Sequence, residues 1–349
     1  MTGRGAAITT TGLRKVFPKR RPAENWMDAM PQLVKGLAGR QDRKVALDGV
    51  DLKIEDGELF GLIGANGVGK TTLIKILACL MRPDGGTATV AGYDIHTQRM
   101  MAKASSSVLK GGGWTGVLWM RTVSQNLRFQ GEMSGLAPAL IERRSAEVLE
   151  LLDLTDKADE VPWYLSAGQR HKLTVALLFM VRTPVVLMDE PTVHLDPNVA
   201  QTVRRFIKET VNTKRGQTVL MSTHYLQEAE LMCDRVAIID QGRLLACDSP
   251  SRLKRSVYDG SIVEIRADRC TEPGLEALKA IHGVTQVRAR LQDAALGRQS
   301  IRIYGGNGLN PMAGALEVLG AAGAEVKWAK SAEPSLEEVY LKLVGREIN

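Results

Sequence analysis

No stretch of this 349-residue chain keeps an apolar run near the ~18 residues that a membrane span requires. The longest candidate, LTVALLFMVRTPVVLM at 173–188, is interrupted by Arg182 and Pro184. The opening MTGRGAAITTTGLRK has no apolar core, so no secretory signal is expected. Cysteine is scarce and dispersed. Cys79, Cys233, Cys247 and Cys270 form no CxxC and no metal-ligand spacing, which argues against a disulfide scaffold or a zinc site and predicts reduced thiols in a cytosolic protein. Acidic residues are sparse only at the beginning: residues 1–49 hold ten Lys/Arg against four Asp/Glu, a net of +6 out of +7 for the whole chain. Aromatics make up 5% of the sequence, and Trp26 is the sole one within the basic stretch 18–44, a poor fit to a nucleic-acid surface.

What is present is ordinary globular material, with 44% hydrophobic and 24% charged residues, and a length that favours two domains. A strand-like opening (AAITTTGLRKVF) is followed by the basic stretch. There Trp26, Met30, Leu33, Val34 and Leu37 fall on one helical face, with Pro31 marking a kink or a helix start. From 45 to 95, apolar strands lead into a helix expected at 70–80, then a turn at RPDGG and another strand pair. Residues 97–180 read as mostly helical, interrupted by KGGGWTGVLW. Short all-apolar strands (VVLMD, TVLMST, RVAIID) then alternate with helices expected near 197–213 and 225–232. That alternation predicts an α/β fold around a parallel sheet buried on both faces. Beyond 256 the order becomes β-α-β-β-α-β with a closing helix at SLEEVYLKLV, a ferredoxin-like α+β pattern with no catalytic constellation.

Residues 64–71, GANGVGKT, fit G-x-x-x-x-G-K-[ST] between an apolar strand and a helix. Gly64, Gly67 and Gly69, with Asn66 and Val68 between them, let backbone N–H groups converge on phosphate oxygens. Lys70 is placed to neutralise β- and γ-phosphates, Thr71 to hold Mg²⁺, and Thr72 is expected to bind the nucleotide beside them. By residue frequencies such a match arises by chance in roughly one chain of this length in a hundred, so a nucleoside triphosphate site is expected. VVLMDEP (185–191) ends a buried strand in two carboxylates: Asp189 as a Mg²⁺ ligand through water, Glu190 as the group that polarises an attacking water. His224 follows the next apolar strand and can sense a γ-phosphate. LSAGQ at 165–169 opens another helix, and Ser166 with Gln169 forms a capping box.

In this order and spacing, the P-loop, LSAGQ, VVLMDEP, VHLD and STH resemble the ATP-binding subunit of ABC transporters over residues 8–255. The resemblance implies an ABC-type ATPase core with a parallel sheet, an antiparallel β piece and a helical subdomain at about 112–180. It leaves 256–349 as a separate C-terminal α+β domain. It also implies ATP and Mg²⁺ as ligands and a head-to-tail dimer, as a homodimer or with a paralogue. In such a dimer Ser166, Ala167, Gly168 and Gln169 cap the γ-phosphate held by the partner. Ala167 stands where the family usually has glycine. Phe17 matches the aromatic that stacks on adenine, and Asp196 matches the aspartate that crosses the dimer interface. The family's glutamine at the junction to the helical subdomain is absent; KGGG (110–113) stands in its place. The insertion at 18–44 and the closing PSLEEVYLKL resemble the branch serving ABC-2 type exporters, whose membrane permease is a separate polypeptide. Catalysis is then expected from Glu190, His224 and Lys70, at the cytoplasmic face of the membrane. The basic insertion fits the anionic leaflet, the permease, or a solvated loop on its own domain. Two other readings stand beside the exporter: a nucleotide-controlled subunit with little turnover, and a soluble ABC ATPase outside transport.

Overall fold

A computed structural model describes residues 5–18, 43–109, 116–193, 195–257, 260–293, 297–306 and 310–345. The helical face expected within 18–44, His194 and the KGGG stretch lie outside these residues, apart from Pro18, Arg43 and Lys44. The chain divides into two compact units between Ser249 and Pro250, whereas the sequence placed the boundary after 255.

In the first unit, β1 (Ala6–Pro18), β2 (Arg43–Glu55), β4 (Gly85–Val90) and β5 (Tyr93–Asp94) form an antiparallel sheet of order β2-β1-β4-β5. A six-stranded sheet contains β3 (Leu59–Ile63), β6 (Ser106–Leu109), β7 (Val185–Asp189), β8 (Thr218–Thr223), β9 (Arg235–Asp240) and β10 (Arg243–Asp248), in the order β10-β9-β3-β8-β7-β6. Its β9-β3-β8-β7-β6 run is parallel throughout. All residues of β3, β7 and β8 are buried, as expected for strands covered on both faces, where each enclosed Leu or Ile contributes about 1.5–3 kcal/mol.

Helix α1 (Lys70–Leu77) is shorter than the expected 70–80, since Cys79 takes a left-handed φ of 56° and ends the coil. Helix α2 (Arg99–Ala104) precedes β6. Residues 97–180 are mostly helical as expected, with one element the sequence did not show: SSVL at 106–109 pairs with β7 as the edge strand. Four residues beginning with two serines carry no strand periodicity, and the pairing decides their conformation. Helices α3 (Val123–Met133), α4 (Pro138–Leu151) and α5 (Ala167–Phe179) make the helical subdomain. Thr122 and Gln125 close a capping box at the start of α3. Asn126, buried, accepts from Leu118 N at 2.7 Å and donates to Leu118 O at 3.0 Å, anchoring the segment that enters the subdomain. Helix α6 (Pro197–Arg205) continues as a π-helical stretch over Phe206–Lys214, and α7 (Leu226–Met232) follows β8.

In the second unit, α8 (Pro250–Val257) leads into β11 (Ser261–Asp268), α9 (Glu272–Lys279), β12 (Val284–Asp293), β13 (Arg298–Gly305), α10 (Met312–Ala321) and β14 (Glu325–Ala332). The strands pair antiparallel in the order β12-β13-β11-β14, which is the ferredoxin-like arrangement. Val263, Ile265, Ile301 and Ile303 face Leu278 of α9 and Leu319 of α10 in one core. Helix α11 (Leu336–Val344) closes the unit and buries Leu336, Val339 and Tyr340.

Candidate functional site

Three neighbouring parallel strands, β3, β8 and β7, end at one edge of the sheet. The register sets Ile63 beside Thr223 and Ser222 beside Asp189. Whatever follows each strand is therefore delivered to the same place, the carboxyl edge where open α/β sheets hold ligands. After β3 the chain makes the glycine-rich loop and enters α1, which no side chain caps. A Cβ at Gly64 would collide with the Ile239 carbonyl, and one at Gly69, where φ is 123°, with the Ala46 carbonyl. Only glycine permits this close approach, so the loop is a backbone cradle whose shape the sequence dictates.

Lys70, on the first turn of α1, is buried. Its Nζ donates to Gly64 O at 2.5 Å and Ala65 O at 3.1 Å and lies 3.3 Å from Glu190 Oε1. Burial pushes its pKa down, and the Glu190 and Asp189 carboxylates oppose that shift. Glu190 has a left-handed φ of 50°, a conformation that costs a non-glycine residue about 1–3 kcal/mol and persists only where neighbours enforce it. Its N–H donates to both the carbonyl and the Oγ of Ser222, each at 3.1 Å. Its Oε2 lies 2.8 Å from His224 Nδ1, so Nδ1 is the ring nitrogen that donates to the carboxylate. Lys70, Glu190 and His224 thus form one continuous polar chain.

Asp189 accepts from Ser222 Oγ at 2.7 Å through Oδ1, and no second hydrogen bond is drawn to it by the described residues. Among the described residues no three His, Cys, Asp or Glu side chains converge as a metal site. A cation beside Asp189 would therefore rest on one carboxylate, the Thr71 hydroxyl, phosphate oxygens and water. That oxygen-only, partly hydrated set suits Mg²⁺.

Phe17, Asn66, Gly67, Gly69, Lys70, Thr71, Thr72 and Glu190 line one cavity of about 300 Å³, together with Ala46 and Lys44. Gly64 and Val68 belong to the same loop, and Val68 O accepts from Gly242 N at 3.0 Å. Phe17 was tied to the site only by resemblance. It reaches the cavity because β1 runs antiparallel to β2 and pairs it with Lys44. Lys44 itself was read only as part of the basic stretch, yet its Nζ comes within 3.8 Å of where a Gly67 Cβ would stand. No local signal marks it, since only the strand register brings it there.

Ser166, Ala167, Gly168 and Gln169 do not line this cavity; they form a second place, with Ser166 and Ala167 exposed. Ser166 and Gln169 complete both bonds of the capping box at the start of α5. A Gly168 Cβ would lie 3.5 Å from Asp196 Oδ2, so the signature and the start of α6 are adjacent. Asp196 caps α6 by accepting from Val199 N at 3.1 Å. His171, also on α5, donates through Nε2 to Pro191 O at 2.5 Å, and burial lowers its pKa. This contact, invisible in sequence, joins α5 to the loop after Glu190.

The ABC transporter family profile matches residues 47–193. The daunorubicin resistance ATP-binding protein DrrA2 of Streptomyces coeruleorubidus is 33% identical over 319 residues, covering 91% of this chain and 96% of that one. The linearmycin resistance ATP-binding protein LnrL of Bacillus subtilis is 29% identical, with 88% and 96% covered. The Nod factor export ATP-binding protein I of Ralstonia nicotianae is 34% identical, with 71% and 75% covered. Among solved structures, an ATP-binding subunit of an ABC transporter superposes with a TM-score of 0.57 at 25% identity, covering 72% of this chain and 92% of that one. A dimeric ATP-binding cassette bound to ADP and Pi superposes at 0.58 with 20% identity, over 69% and 98%, a likeness of fold. With the site geometry and a full-length relative in agreement, this chain belongs to the ATP-binding subunits of ABC transporters, in the branch of ABC-2 type exporter ATPases.

Proposed function

We propose that the chain binds MgATP and hydrolyses it in a head-to-tail dimer that drives a separate ABC-2 type permease in export. The observation that carries this reading is the Lys70–Glu190–His224 chain at the edge of the cavity, with contacts of 3.3 and 2.8 Å. Lys70 and the loop amides bind the phosphates, Phe17 stacks on the base, and Glu190 takes the proton of the attacking water. His224 donates to Glu190 through Nδ1 and, as the doubly protonated ring, donates to the γ-phosphate through Nε2. Thr71 and Asp189 would hold Mg²⁺, which would supply charge neutralisation at the phosphates.

The exposed signature supports completion of the site by a second copy. A helix start that binds anions yet lies outside its own chain's cavity is suited to a phosphate held by another chain. Among the described residues no helix is long and apolar enough to cross a membrane, which fits a permease on another polypeptide. Met120, Trp163 and Tyr164 are strongly exposed in the helical subdomain, with Trp163 packed on Trp119 at 4.9 Å, an apolar surface of the kind that partners cover. Drug-resistance and Nod factor export relatives favour export, and the membrane association follows from the permease.

The test is Ala167→Asp. An acid in the first helical turn is compatible with α5, yet it sets negative charge where a partner's phosphate would lie. ATP affinity of the isolated chain is expected to stay within about twofold, while turnover and ATP-dependent dimerisation fall at least about tenfold, the factor that 1.4 kcal/mol of repulsion gives. Parallel loss of affinity would assign the signature to its own chain's cavity and end the sandwich reading. Lys44→Ala is expected to weaken ATP binding about fivefold, roughly the 1 kcal/mol of an exposed charge contact, and more so at low salt. Equilibrium binding at two ionic strengths checks it; unchanged affinity at both would remove Lys44 from the site.

A further inference from the structure

Glu228, on α7, is buried, and among the described residues every hydrogen bond its carboxylate makes ends on a segment that carries a site residue. Its Oε1 accepts from Thr192 Oγ1 at 2.5 Å and from Arg204 Nε at 3.0 Å. Its Oε2 accepts from Thr223 Oγ1 at 2.9 Å. Thr192 stands two residues after Glu190, and Thr223 directly precedes His224. Arg204 lies on α6, the helix that Asp196 caps. Thr223 Oγ1 also accepts from Tyr225 N at 2.9 Å, so its single proton is committed to Glu228 and the bend after β8 is fixed.

We infer that Glu228 is a positioning residue: one buried carboxylate pins the loop after Glu190, the strand end before His224 and the Asp196 helix to a common point. A buried carboxylate is costly unless several donors satisfy it, and once satisfied it rigidifies whatever supplies them. Glu190 needs such restraint, because its left-handed backbone relaxes when its loop is free. The Glu190–His224 contact of 2.8 Å depends on the relative placement of two separate segments, and Glu228 bonds to both, together with Ser222, whose Oγ ties the end of β8 to Asp189 and to the Glu190 N–H. It does not line the nucleotide cavity, so it acts on turnover through other residues and leaves ATP binding alone.

The inference rests on Glu190 and His224 working on bound nucleotide, and its test separates the two. In the full-length chain, Glu228→Gln keeps the volume but removes the charge and one acceptor. We expect kcat to fall at least tenfold and the ATP dissociation constant to stay within twofold. Backbone deuterium exchange is expected to quicken together in peptides covering 190–193 and 222–225. Thr192→Val and Thr223→Val, which keep shape and lose the hydroxyl, should each reproduce part of the effect and add less than fully to Glu228→Gln; Thr192→Ser should restore it. A side chain that merely holds the fold would raise the dissociation constant along with the loss of kcat, and that result overturns the inference. So does unchanged exchange at both loops. If the wild-type chain shows no hydrolysis, the catalytic reading fails on its own; faster exchange at both loops then still supports the pin, and unchanged exchange refutes it.

Discussion

Lys70→Ala is expected to raise the ATP dissociation constant at least about a hundredfold, close to 2.8 kcal/mol, while the melting temperature moves by no more than a few degrees. The binding loss follows from the ammonium's place: it is buried at the head of α1 and fastened to the loop carbonyls beside the phosphate cradle. Charge-assisted bonds to phosphate are about twice as strong as neutral ones, and among the described residues no other buried cation lines the cavity. The small stability effect follows from the direction of its pKa. Burial lowers the Lys70 pKa despite the two nearby carboxylates, so the folded chain holds this charge less well than water does. A lysine whose pKa falls on folding costs stability at neutral pH, and stability rises as pH climbs through its folded value. Alanine removes that cost along with the ion pair. Calorimetric titration beside thermal melts checks both halves. Retained affinity undoes the P-loop assignment, and a collapse in melting temperature makes Lys70 structural.

The second large effect is expected from Glu190→Gln. The amide keeps size and shape, and the N–H bonds to Ser222 are backbone bonds that do not change. What disappears is the group proposed as the base. General-base removal costs typically about 10²–10⁴ in rate, so turnover should fall to near background while ATP binding persists. Unhydrolysed ATP then holds the two chains together, and a stable dimer should accumulate with ATP but not with ADP. Size-exclusion chromatography with light scattering reads this directly. Turnover near the wild-type rate would mean that the proton leaves by another group and that Glu190 serves only to hold Lys70 and His224.

The residues that announce themselves in sequence are those whose chemistry is local. The P-loop is a contiguous segment whose Gly64 and Gly69 are demanded by the Ile239 and Ala46 carbonyls, and its flanking strand and helix show plainly in the apolar pattern. Asp189 and Glu190 end a strand whose five residues are all buried, which explains why VVLMD stands out. The ferredoxin-like order of the second unit is legible for the same reason, because each element carries its own periodicity. Lys44 and Glu228 have no such signature. Lys44 reaches the cavity only through the β1–β2 register, and Glu228 matters only because three separate segments meet it. The strand at 106–109 was hidden for a related reason: its conformation is imposed by β7 rather than by its own residues. His171 shows a mixed case, since the signature helix was recognised but its bond to the Pro191 carbonyl required the fold.

That bond and the Glu228 cluster suggest how the two exposed places could speak to each other. The signature helix touches the loop after Glu190 through His171, and the Asp196 helix touches it through Arg204, Glu228 and Thr192. Docking a second chain on the signature would therefore bear on the same loop that sets the carboxylate proposed as the base.

The most direct test of two chains sharing each nucleotide is steady-state ATP hydrolysis by the full-length protein across a range of protein concentrations, with Glu190→Gln run alongside. The account predicts turnover that rises faster than linearly with protein concentration and vanishes in the variant. Turnover strictly proportional to protein concentration, and preserved in Glu190→Gln, would contradict it.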